Sequence, residues 1–145
     1  MAEFTYNPIQ VVNVNQPVIL NDSIPCNKGY IYHRNESGIV TLRGIVNNPS
    51  ACFARYQVTF NANIAVPEGG TAGPIAVALS ISGEPINTST AIVTPTVVDA
   101  YFNVTSTAII TVPKGCCFNV SVENVSDNNT QINVQNANLV VARIA

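Results

Sequence analysis

The sequence predicts an all-β fold, built as a two-sheet antiparallel sandwich. Three observations carry that expectation. Helical periodicity is nearly absent. Apolar and polar residues alternate almost from end to end, as in strands with one face on a core. Turn-forming clusters interrupt the alternation at short, regular intervals.

The first element covers Val12, Val14, Val18 and Leu20, alternating with Asn13 and Asn15. The clearest strand runs from Ala54 to Val66. There Ala54, Tyr56, Val58, Phe60, Ala62, Ile64 and Val66 fall on one face, and Arg55, Gln57, Thr59, Asn61 and Asn63 on the other. Ile75, Val77, Leu79 and Ile81 alternate with Ala76, Ala78 and Ser80. Phe102, Val104, Ala108, Ile110 and Val112 alternate with Asn103, Thr105, Thr107 and Thr111. Phe118, Val120 and Val122 alternate with Asn119, Ser121 and Glu123, and residues 132–144 give a last strand. The turns are Asn47-Asn48-Pro49, Pro67-Glu68-Gly69-Gly70, Gly83-Glu84-Pro85, Pro113-Lys114-Gly115 and Asp127-Asn128-Asn129. One domain spans residues 10–145. Residues 1–9 are expected as a short N-terminal arm, an exchanged strand or a docking peptide. The strands do not repeat in sequence, which argues against a propeller or solenoid.

Of the 145 residues, 47% are apolar and only 10% charged, where a typical soluble domain carries about 25% charged residues. Uncharged Asn, Thr and Ser must therefore cover the exposed faces. That pattern suits a subunit whose sides are buried against copies of itself. The net charge is −2 and the only lysines are Lys28 and Lys114, so no basic patch is available for nucleic acid. No apolar run approaches the roughly 20 residues of a membrane helix, and no membrane partner is expected. Met1 to Gln16 lack a positive region followed by an apolar one. The expectation is synthesis in a cytosol without that export route.

No catalytic constellation is visible, and the expectation is a protein that is not an enzyme. The single histidine, His33, has only Glu36 and Ser37 near it in sequence and reads as a surface strand residue. Gly69-Gly70 and Gly73 lack the Lys-Ser/Thr of a phosphate-binding loop, and no Asp-rich calcium loop occurs. No cofactor and no metal are expected. The four cysteines are Cys26, Cys52, Cys116 and Cys117, without a Cys-x-x-Cys pair. If Phe118, Val120 and Val122 set the inward parity, Cys116 should be buried and Cys117 should face out or sit at an interface. A disulfide from Cys117 to Cys26 or Cys52, within or between subunits, competes with four reduced thiols.

Several strings resemble the tumour-necrosis-factor and complement-head jelly roll. Tyr56-Gln57-Val58-Thr59-Phe60 is similar to that family's "YxVxF" strand. Leu79-Ser80-Ile81-Ser82-Gly83-Glu84-Pro85-Ile86 is similar to its "LxINGxPI". The segment from Ile110 to Asn124 is similar to its "VxVxxGDxLxLxVxN". The likeness covers roughly residues 50–145. It implies an antiparallel jelly-roll sandwich that assembles as a homotrimer. Tyr56, Phe60, Tyr101 and Phe102 then become candidates for the trimer interface or the core.

The strings "CNKGYIYHRNESGIVTLRGI", "GEPINTSTAIVTP", "PKGCCFNVSVEN" and "INVQNANLVVARIA" look similar to small stand-alone structural proteins of gut Firmicutes and their phages. The chain departs from the spore-surface members in lacking a collagen-like stalk. These resemblances imply a virion structural protein: a capsid decoration protein, or a head-fibre or tail component. Its partners would be copies of itself and capsid or other virion proteins, and its location the virion, after synthesis in the host bacterial cytoplasm. A structural subunit of a spore surface or appendage is one alternative. A glycan- or receptor-binding jelly roll is another, although the absence of Trp removes the best stacking platform for sugars.

Overall fold

The computed structural model describes residues 2–24, 31–33, 37–44, 50, 52–127 and 131–144. Twelve strands lie among them: β1 Ala2–Tyr6, β2 Gln10–Val12, β3 Asp22–Ile24, β4 Ile31–His33, β5 Val40–Arg43, β6 Phe53–Ala65, β7 Ile75–Ile81, β8 Glu84–Pro85, β9 Ala91–Val93, β10 Phe102–Pro113, β11 Cys117–Asn124 and β12 Ile132–Arg143. The helical content of the described residues is one 3-10 turn, Asn87–Ser89. No helix among them is long and apolar enough to cross a membrane.

The strands form two antiparallel sheets. Sheet A runs β10-β6-β12-β1-β3, with β2 also on β12. Sheet B runs β4-β5-β11-β7-β8, with β9 on β7. Several neighbours, such as β6 with β12, β1 with β12 and β5 with β11, come from distant parts of the chain, as in a jelly roll. The core lies between the sheets. Tyr56, Phe60, Ile64, Leu79, Ile110 and Leu139 are among its largest fully buried side chains. Burying each such side chain contributes about 1.5–3 kcal/mol. Every inward residue expected from Ala54 to Val66 is buried, so the alternation of β6 is read correctly.

Residues 2–6 are an inner strand of sheet A, and the arm expected at 1–9 is corrected for that part. β1 pairs with β12 on one side and β3 on the other. The reason is a short alternation: Ala2 and Phe4 point into the core, while Glu3 and Thr5 stay partly exposed. β12 changes neighbours midway, from β2 at residues 132–134 to β1 at 137–141. A bulge between Gln135 and Asn138 makes the change possible, with Asn136 left-handed at φ 57°. It flips the inward parity from Ile132 and Val134 to Ala137, Leu139 and Val141.

β7 departs from simple alternation. Ala76, Ala78 and Ser80, expected on the polar face, are buried as well. Their side chains are small, and the strand is flanked by β11, β8 and β9. His33 is half-buried: its ring meets Phe4 with centroids 4.8 Å apart, and its Nε2 lies 2.8 Å from the Ser37 carbonyl oxygen.

Candidate functional site

Three features of the surface stand out: an uncharged face, an edge with exposed apolar side chains, and two chemically different ends. The face is the outer side of β10, β6 and β12 in sheet A. From Asn63 and Asn103 to Gln57 and Ile109, the paired strands β6 and β10 present no charged side chain there. On β12 the outward residues Asn133, Gln135, Asn138, Val140 and Ala142 are also uncharged. Side-chain amides and hydroxyls link across the strands. Asn103 donates to Asn61 at 2.8 Å and to Asn63 at 3.3 Å; Thr105 donates to Asn61 at 3.2 Å. Thr59 and Thr107 meet at 3.1 Å. Asn63 donates to Asn136, Asn136 to Asn7, and Asn138 to Glu3. The polar groups thus largely satisfy one another, which lowers the cost of removing water from this face.

The apolar edge follows β9, the β9–β10 connection and β10. Ile92 is 65% exposed, Val97 59% and Ile109 63%, and Val98 and Phe102 are exposed beside them. Among the described residues β10 pairs only with β6, so its other side is a sheet edge. That edge is twelve residues long, Phe102 to Pro113, without a charge in it. Its exposed large apolar side chains are Phe102 and Ile109, set among Asn and Thr; a long uncharged edge is what soluble monomers normally blunt with lysine, proline or a short strand. On the far side of sheet A, Ile9, Val11 and Ile19 form a second exposed apolar group. Gln10 holds it together, donating to the Ile19 carbonyl and accepting from the Ile19 amide, each at 2.9 Å.

At one end of the sandwich a cleft of about 980 Å³ lies between the segment from Pro67 to Pro74 and Asn13, Val14, Asp127 and Gln131. The Pro67–Gly70 turn closes there, with the Gly70 amide donating to the Pro67 carbonyl at 3.0 Å. The other end carries Cys52, Cys116 and Cys117, all exposed. Among the described residues no group of three or more His, Cys, Asp or Glu is placed to hold a metal ion.

The candidate interface residues separate. Tyr56 and Phe60 are 0% exposed in the protomer's own core, so they are corrected out of any interface. Their parity on β6 turns them toward sheet B, and the Tyr56 hydroxyl donates to the Arg43 carbonyl at 2.5 Å. Tyr101 is partly exposed, with its hydroxyl 3.5 Å from Asn133 Nδ2. Phe102 shares the inward parity of Val104 but is 45% exposed, because it opens β10 at the rim of the sandwich. Ile92, Val97, Val98 and Ile109 were missed by the sequence reading. Ile109 carried a signal, an Ile between Thr107 and Thr111 on the outward parity.

Cys116, expected to be buried by the parity of Phe118, is not. Cys116 is exposed, because β11 begins only at Cys117 and Cys116 still belongs to the turn. Its amide donates to the Pro113 carbonyl at 3.1 Å. Cys26 lies outside the described residues.

One acid is buried on the outer side of sheet B. Glu123 is 7% exposed, and its carboxyl is pushed above the usual range. Burial is the main cause, a hydrogen bond from Ser80 opposes it, and the Glu84 charge adds to it.

These sheets and their order define an antiparallel jelly roll of the tumour-necrosis-factor and complement-head type. Solved structures of that type superpose along nearly the whole chain. The globular domain of zebrafish complement 1qA protein matches with TM-score 0.65 at 15% identity, covering 99% of this chain and 96% of that one. Eiger TNF from S. frugiperda matches with TM-score 0.66 at 10% identity, covering 100% and 92%. Murine APRIL matches with TM-score 0.51 at 12% identity, covering 92% and 96%. No protein-family model matches the chain, and no curated protein matches it.

Proposed function

We propose that the chain is a non-enzymatic structural subunit that assembles as a homotrimer in a bacteriophage virion, as a capsid decoration protein or a head-fibre or tail component. The observation that carries the assembly reading is β10, a twelve-residue edge strand without a charge, bordered by exposed Ile92, Val97, Phe102 and Ile109. Covering that edge with a second copy removes apolar surface from water and hides a sheet edge at the same time. The Ile9–Val11–Ile19 group on the far side of sheet A is a different surface; contact between the two would be head-to-tail, and a three-fold rotation would close it into a ring. The uncharged outer face of sheet A lies between the two patches and brings no unpaired charge into the contact.

The virion assignment rests on the resemblance of four strings, residues 26–45, 83–95, 113–124 and 132–145, to phage-type structural proteins. Protein mass spectrometry of purified particles from the encoding host tests it. The chain should be present in the particles and remain with them through density-gradient purification. Its absence from particles together with presence in spore or appendage fractions would favour the spore-surface alternative. A glycan- or receptor-binding role has its own supporting feature, the polar cleft beside Glu68, Asp127, Asn13 and Gln131. Glycan-array binding that is lost in Glu68→Ala would favour that role.

A further inference from the structure

The cysteine end of the sandwich pairs two particular thiols. β6 and β10 run side by side to Phe53 opposite Pro113, and the Lys114 amide then donates to the Cys52 carbonyl at 2.9 Å. The chain turns at once: the Cys116 amide donates back to the Pro113 carbonyl at 3.1 Å, which brings Cys116 to within about 7 Å of Pro113 by Cα. Cys52 and Cys116 therefore flank the same Phe53–Pro113 pair. The Gly44 amide clamps the turn further by donating to the Cys116 carbonyl at 2.8 Å.

Position separates the two neighbouring thiols from each other. Cys52 lies just before β6, which begins at Phe53, and is exposed. Cys116 sits in the segment that crosses from sheet A to sheet B. Cys117 is already on β11 opposite Arg43, with the outward parity of Asn119. All three are exposed, so a small oxidant reaches them.

We propose that Cys52 and Cys116 form a redox-responsive pair that closes into an intrachain disulfide in the presence of a low-molecular-weight disulfide, while Cys117 stays outside the bridge. One cysteine thiolate attacks a sulfur of the small disulfide, forming a mixed disulfide and releasing one small thiol. The second cysteine attacks the protein-side sulfur and releases the second small thiol. The two cysteine sulfurs are oxidised to one S–S bond, the small disulfide is reduced to two thiols, and the cysteine protons end on those thiols. The bridge would tie the residue before β6 to the β10–β11 turn, and it requires the two Cα atoms to come to about 4.4–6.8 Å.

The test treats the reduced full-length protein with oxidised glutathione, blocks remaining thiols with iodoacetamide, and maps non-reduced peptides by mass spectrometry. The expected product is an intrachain Cys52–Cys116 linkage, formed equally in Cys117→Ser and absent in Cys116→Ser. Linkage of Cys52 to Cys117 or Cys26, linkage only between chains, or Cys52 left as a thiol or a glutathione adduct in wild type would each overturn the proposal. So would loss of the linkage in Cys117→Ser.

Discussion

The amide of Gly44 donates to the carbonyl of Cys116 at 2.8 Å, and a Cβ at Gly44 would stand 2.2 Å from the Pro113 carbonyl oxygen. The end of β5 is thus pressed against the β10–β11 turn with no room for a side chain. Gly44→Ala must push backbone against backbone, at a cost of about 1–3 kcal/mol. Gly73→Ala, where nothing lies within 4 Å of the added carbon, should leave stability nearly unchanged. Urea denaturation of both variants checks the contrast.

Core and surface are separated by Tyr56 and Phe60. Phe60→Ala should lower stability by about 3–5 kcal/mol. Tyr56→Phe strips the donor from the Arg43 carbonyl and should lower it by about 1–3 kcal/mol. Neither side chain reaches the protomer surface, so both variants should keep the wild-type oligomeric state wherever they remain folded. Native mass spectrometry beside thermal melting measures both quantities.

Glu123 makes stability depend on pH. Its folded-state carboxyl is raised above the ordinary value of 4.5. The folded protein therefore holds its proton to higher pH than the unfolded chain does. Stability falls as pH rises from about the unfolded value through the raised folded value, and the loss persists at neutral pH. Glu123→Gln removes the ionisation and should be more stable than wild type at pH 7, with the difference shrinking below pH 4.5. Parallel melting curves across that range test the sign; a stability gap that widens toward acid would contradict it.

The strands with one buried face were legible because period-2 alternation is a direct consequence of strand geometry. Ala54 to Val66 needed nothing more. What was not legible depended on neighbours. Ala78 and Ser80 are buried on the polar parity because their small side chains sit among flanking strands. The β12 bulge at Asn136 inverts a parity that no local pattern announces. Cys116 was misplaced because the parity of Phe118 was extended past the true start of the strand. The Ala2–Tyr6 alternation was present but too short to distinguish a strand from an arm. At the candidate interface, Phe102 was found from its aromatic character, whereas Ile92 and Val97 emerge only when the packing of the two sheets brings β9 of sheet B near β10 of sheet A.

In the proposed trimer the copies associate through the β10 edge. Multi-angle light scattering of the wild type and an Ile109→Asp, Phe102→Asp double variant at micromolar concentration tests it most directly. Both residues are exposed in the protomer, so the double variant should keep a cooperative melt and a β-sheet circular dichroism spectrum. The wild type should run at three times the 15.4 kDa protomer mass and the variant at the protomer mass. A wild type that stays monomeric, or a folded variant that remains trimeric, would rule out a trimer held by the β10 edge.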